Sequence, residues 1–156
     1  MYFGRCAIYL AVIGVLSQLT ALLPRRWFHA DRFPFRAYGW EKGGEIYRRV
    51  GITHWKDRVP DMSRYLPFLT SKTMSAGVSA AQAERLVQET CVAECVHVVL
   101  SLMTLYCLRL WPGAGGVVLT VLYILAGHVP FIMIQRYNRP RFMMIAERLR
   151  RREAKK

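Results

Sequence analysis

Residues 6–23 run for 18 positions without a charge, and their small polar side chains are only Ser17, Gln18 and Thr20. At about 1.5 Å of rise per residue, a helix of that length just crosses the hydrocarbon core of a bilayer. Two further apolar stretches, 91–110 and 114–135, are separated by Trp111, Pro112 and Gly113. Those residues form a tight turn with no room for a domain between the two stretches. A chain with three such runs has few folds open to it, because backbone polar groups in lipid must be satisfied within helices or closed barrels. The expectation is an all-α integral membrane protein with about three transmembrane helices, a single membrane domain over residues 1–156. The first run reads as an uncleaved span, since only Arg5 precedes it and Pro24, Arg25, Arg26 and Trp27 offer no small-residue cleavage site.

Residues 24–88 carry 12 Lys or Arg against Asp31, Glu41, Glu45, Asp57, Asp61 and Glu84. Aromatics from Trp27 to Phe68, Tyr65 among them, interleave with the arginines. This is the pattern of an amphipathic, membrane-lying region whose rings sit at headgroup level. A short helix is expected over 44–50, ended by Gly51. Ser79 is a candidate N-cap for a helix from Ala80 into the second span, and Pro34, Pro60 and Pro67 interrupt the rest. The formal net charge of +13 is broken up by apolar runs and no nucleic-acid motif is present, so anionic membrane lipids are the expected partner and nucleic acid is not. Counting positive charge near the spans places the N-terminus and the 111–113 turn outside. The central region, and the tail 136–156 with its nine basic residues, fall on the cytoplasmic side of the cell membrane.

The second span opens with ionisable groups. With Glu89 set at zero on a helix, His97 falls near 80°, Ser101 near 120°, Glu94 near 140° and Thr104 near 60°, at about 100° per residue. Val92, Cys95, Val99, Leu102 and Tyr106 take the opposite, lipid-facing side. Charges at membrane depth are costly unless they face protein or a wet cavity, so the stripe points to a functional site. His97 is a usable general base, with Glu94 as its orienter and Glu89 as the competing candidate. The plainer reading is that His97 holds the helices together by a hydrogen bond. Glu94 and His97 resemble half of a carboxylate-histidine metal pair whose other half is missing, so no metal is expected. The four cysteines read as small buried hydrophobes.

A second cluster, Arg136, Asn138, Arg139 and Arg141 around Pro140, follows the third span. Guanidinium forks bind phosphates or oxyanions bidentately, and the alternative is ordinary positive-inside anchoring. The tail beyond it has the look of an amphipathic basic helix. Trp55 and Lys56 add an interfacial ring and a charge, with Asp57 read as the partner in a local salt bridge.

Taken in order, Gly51 and Ile52, the run from Trp55 to Pro60, Glu89 and Thr90, Ala93, Glu94 and His97, Val129 and Pro130, and the seven residues Gln135 to Arg141 resemble the glycosyl-4,4'-diaponeurosporenoate acyltransferases. The resemblance extends over most of residues 40–145, and the Gln135 to Arg141 run is its most specific part. Those enzymes complete a carotenoid pigment by esterifying a sugar hydroxyl with a fatty acyl chain. The resemblance implies an acyltransferase acting on a glycolipid acceptor, with acyl-CoA or another acyl carrier as donor substrate and no cofactor. From the helix geometry, His97 would deprotonate the acceptor hydroxyl, with Glu94 or Glu89 behind it. Arg136, Asn138 and Arg139 would hold donor phosphates or the developing oxyanion, with Arg141, Trp55 and Lys56 as further substrate-binding residues. Three helices bury little surface, which leaves room for a homodimer. The competing readings are a non-catalytic lipid-binding or assembly subunit and, against the crowding of polar groups at one end, a small transporter.

Overall fold

The computed structural model describes residues 1–59 and 79–155. The interfacial role expected of Tyr65 and Phe68, and the breaks assigned to Pro60 and Pro67, lie outside the described residues. The helices are α1 (Tyr2–Leu16), α2 (Glu45–Arg49), α3 (Ile52–Trp55), α4 (Ala80–Thr104), α5 (Cys107–Leu110), α6 (Ala114–Gly127) and α7 (Val129–Glu153), and 3₁₀ turns occupy Ser17–Leu22, Arg25–Trp27, Gly39–Gly44 and Lys56–Arg58. The stretches Tyr2–Thr20, Ala80–Leu110 and Ala114–Glu153 are long and apolar enough to cross a membrane. The chain folds as two compact units, Met1–Leu23 with Ala93–Ile132, and Pro24–Val92 with Met133–Lys156.

In the first unit, α1 buries Cys6, Leu10 and Ile13 against Cys107, with Tyr9, Leu100, Trp111, Leu119 and Tyr123 packed around them. The Tyr9 hydroxyl donates to the Met103 carbonyl at 2.9 Å, so its polar tip is satisfied against a helix backbone. The other faces are apolar and exposed: Ile8, Leu102, Val118 and Leu122 are all more than half exposed. An apolar exterior on helices of this length suits lipid rather than water. The α1 helix tightens to 3₁₀ at Ser17 for a local reason. Ser17 Oγ donates to the Gly14 carbonyl and Thr20 Oγ1 to the Ser17 carbonyl, both at 2.7 Å, drawing the last turn closer.

The expected turn lies between α5 and α6, where Gly113 adopts φ 101°, open to glycine. A Cβ on Gly116 would overlap the Trp111 carbonyl, which faces the helix at this point. Removing a helix glycine gains about 0.5–1 kcal/mol, while overpacking costs about 1–3 kcal/mol. Gly116→Ala is therefore expected to lower the thermal midpoint in detergent, whereas Gly127→Ala, with open space around it, should leave it unchanged or raise it.

The helix breaks at His128, with φ −125° and ψ −45°, so that Pro130 sits in the first turn of α7 where its missing N–H costs nothing. From there α7 is continuous through Pro140 to Glu153. The third span's end, the arginine-rich run and the basic tail are thus one helix.

In the second unit the first half of α4 lies antiparallel to the second half of α7. The Ala80 N–H donates to Glu153, Arg150 pairs with Glu84, and Arg139 reaches Thr90. The cap expected at Ser79 is present and reciprocal: Gln82 N–H donates to Ser79 Oγ at 3.2 Å, and Ser79 N–H to Gln82 Oε1 at 2.8 Å. Tyr47, Ile52 and Tyr137 form a small core with Trp55, Met133 and Ile134. Gly44, at φ 96°, lets the loop backbone approach the Tyr137 carbonyl, and a Cβ there would sit 3.4 Å from it. Val92 departs from its expected lipid-facing place. It is buried, because at this level α4 is packed within the second unit, while Val99, Leu102 and Tyr106 are exposed as expected.

Candidate functional site

Two groups of functional side chains emerge, one in each unit. In the first unit, α4 carries Glu94 and His97 and the break before α7 carries His128. His97 Nδ1 lies 3.2 Å from His128 Nδ1, so one ring must donate and the other accept. Phe131 stacks on His97 at 4.6 Å between centroids and 13° between planes, and Tyr123 meets His128 edge-on at 5.1 Å. The rings thus fix both imidazoles from the sides. His128 is 4% exposed, and its Nε2 is buried with no hydrogen-bond partner among the described residues. Glu94 is buried one turn before His97 on the same helix. The neighbouring hydroxyls are committed to the backbone, Ser101 Oγ to the His97 carbonyl and Thr104 Oγ1 to the Leu100 carbonyl, each at 2.7 Å.

In the second unit the arginines of α7 meet acceptors supplied by the loop before α2 and by α4. Arg136 grips Glu41 with both arms of its fork, Nε to Oε1 at 2.5 Å and Nη2 to Oε2 at 3.0 Å, and lies over the Tyr38 ring. Tyr47 Oη donates to Glu41 Oε1 at 2.5 Å and Tyr38 N–H to Oε2 at 2.7 Å. Glu41 is 3% exposed. Burial by itself would raise its pKa, but the hydrogen bonds from Arg136, Tyr47 and the Tyr38 amide outweigh that and hold the carboxyl below its ordinary range. Burial, and next the adjoining Glu41 carboxylate, push the Tyr47 phenol well above its ordinary value. Arg139 donates to Thr90 Oγ1 at 2.9 Å, to the Thr90 carbonyl at 3.1 Å and to the Phe35 carbonyl at 2.5 Å.

The remaining sequence-predicted residues have plain positions. Glu89 is 2.8 Å from Arg25 and 3.8 Å from Arg85. Arg141 donates to the Tyr137 carbonyl and covers the Tyr137 ring, and Asn138 is half-buried. Trp55 packs on the small core with its indole N–H on the Val50 carbonyl at 3.2 Å, and Lys56 pairs locally with Asp57 at 2.5 Å. Arg136 and Arg139 line a cleft of about 800 Å³ within the second unit, whose walls also include Phe28, Phe35, Met143 and Met144.

Sequence reasoning assigned no site role to His128, Glu41, Thr90 or Tyr47. The available signals were a histidine two residues before a helix-entry proline and an acid set among Tyr38, Trp40 and glycines. Neither names its partner.

A sequence model of the family described as glycosyl-4,4'-diaponeurosporenoate acyltransferase matches residues 24–148. Relatives carrying that name in Staphylococcus aureus strains bovine RF122 / ET3-1 and MRSA252 are each 23% identical over 149 residues, covering 94% of this chain and 89% of theirs. The relative of that name from strain Newman is 22% identical over 148 residues. No solved structure matches the chain.

Proposed function

The chain belongs to the glycosyl-4,4'-diaponeurosporenoate acyltransferase family and is an acyltransferase; from that premise we propose that it works within the membrane, moving a fatty acyl group onto a hydroxyl of a glycosylated lipid. The relatives' name specifies a glycosyl diaponeurosporenoate, and a glycosyl carotenoid or similar glycolipid is the acceptor assigned here. The donor is acyl-CoA or another acyl carrier.

The observation that carries the mechanism is the 3.2 Å contact between the two imidazoles. With its proton on Nδ1 donated to His128, His97 presents an Nε2 lone pair to the acceptor hydroxyl. The hydroxyl proton passes to Nε2 as the oxygen attacks the acyl carbonyl. Collapse of the tetrahedral intermediate expels the thiolate or alkoxide of the donor, which recovers that proton from His97. The buried Glu94 favours the imidazolium formed midway. Direct transfer suits the site, since Ser101 and Thr104 are held by backbone carbonyls rather than by a base. Glu89 is engaged by Arg25 and Arg85, and Glu94 is the acid assigned to His97.

Of the expected substrate-binding residues, Arg136 and Arg139 line the cleft of the second unit, and Asn138, Arg141, Trp55 and Lys56 are not among its lining residues. The apolar exteriors of the three long helices support membrane residence. The charge asymmetry supports an outside N-terminus and a cytoplasmic central region and tail. A homodimer would add buried surface to a small helical unit.

His128→Leu is expected to lower kcat by about tenfold to a hundredfold with KM little changed, less than the 10²–10⁴ that proton transfer itself contributes. His128→Asn, which keeps a polar atom where Nδ1 was, should recover part of the loss. Lipid mass spectrometry on cells with and without the chain tests the overall reading. An esterified glycolipid should disappear with the chain, and an unchanged lipid profile would count against it.

A further inference from the structure

The cleft in the second unit has a charge balance unlike the rest of the molecule. The chain holds 23 basic and 10 acidic residues. Among the described residues lining this cleft, Asp31, Glu41, Glu84 and Glu147 face Arg36, Arg136, Arg139 and Arg150, four of each sign. Two of these arginines are already matched, Arg136 with Glu41 and Arg150 with Glu84.

We propose that this cleft binds the uncharged sugar headgroup of a glycolipid, and not an anionic phosphate. A sugar hydroxyl both donates and accepts, so it needs guanidinium donors and carboxylate acceptors side by side, and this wall supplies both. The Phe28 and Phe35 rings give an apolar face for sugar C–H groups, and Met143 and Met144 continue the apolar lining where a lipid stem would run. A phosphate dianion would meet four carboxylates in the lining, with two of the four arginines already matched. Phosphate sites are built the other way, from arginines with unspent charge.

The inference rests on the glycolipid reading for the identity of the substrate, but its test uses binding alone. The full chain in nanodiscs is labelled with two photoreactive probes of equal chain length, a diazirine-bearing alkyl glucoside and the matched alkyl phosphate, and labelled peptides are mapped by mass spectrometry. The expected result is saturable labelling of the 28–37 and 143–147 peptides by the glucoside, at least tenfold above the phosphate. The double variant Glu84→Gln with Glu147→Gln removes two negative charges at side chains that are 44% and 60% exposed, so its fold is preserved. It should raise phosphate labelling at the same peptides by about tenfold. Equal or stronger phosphate labelling of the wild type, or glucoside labelling that does not saturate, would overturn the proposal. Absence of acyl transfer by the wild-type chain with glucoside labelling intact would instead count against the enzymatic reading.

Discussion

Replacing His97 by alanine is expected to reduce acyl transfer by about 10²–10⁴-fold, the range that a positioned proton-transfer group contributes. The ring is held on one side by the His128 Nδ1 contact and on its face by Phe131, so its orientation is set before substrate arrives. Alanine also removes a stacked ring, and part of any loss could come from repacking. His97→Gln separates the effects. It keeps bulk and hydrogen-bonding capacity at that position while lacking a group that can take a proton near neutrality. Both variants should lose kcat alike, with KM moving little, and the thermal midpoint should fall only for alanine. Activity in His97→Gln within about threefold of wild type would remove proton transfer from this residue.

The second large effect concerns stability. Glu41→Ala leaves the Arg136 guanidinium, only 10% exposed, without its carboxylate. Breaking a buried pair by removing one partner costs about 3–5 kcal/mol, a large share of the about 5–15 kcal/mol that holds a typical domain together. Tyr47 loses its acceptor in the same step. Glu41→Gln should recover part of the loss through its amide oxygen. The pH dependence has a definite sign. Because the folded carboxyl titrates below its ordinary value of 4.5, its contribution is fully present above that value and is lost as pH falls through the lowered folded value. Thermal midpoints measured from pH 7 down to pH 3 should therefore fall in the wild type below about pH 4.5 and be flatter in Glu41→Gln over that window. A Glu41→Ala protein with an unchanged midpoint would show that the pair contributes nothing.

Much of the helical frame could be read from the sequence because its causes are local. The uncharged run from position 6, the glycine turn at 113 and the Ser79 cap act over a few residues, and each has its counterpart in the structure, the first as the stretch Tyr2–Thr20. Proline usually interrupts a helix, yet α7 runs through Pro140, with Arg136 and Arg139 both anchored in the turn before it. The side-chain pairings were not legible. His97 and His128 are 31 residues apart and Glu41 and Arg136 are 95 apart, and no periodicity links such positions. Helical spacing did group Glu89, Glu94 and His97 on one face. It could not show that Glu89 would be taken up by Arg25, 64 residues earlier.

The decisive measurement is acyl transfer by the purified chain in nanodiscs, with an isotope-labelled fatty acyl thioester and a glycosyl carotenoid, read by product mass. Wild type should form a labelled ester, His97→Gln should form little or none, and no labelled acyl group should remain covalently on the protein. Equal ester formation by the two proteins, or a stable acyl-protein adduct that goes on to product, would contradict direct transfer driven by the His97 imidazole.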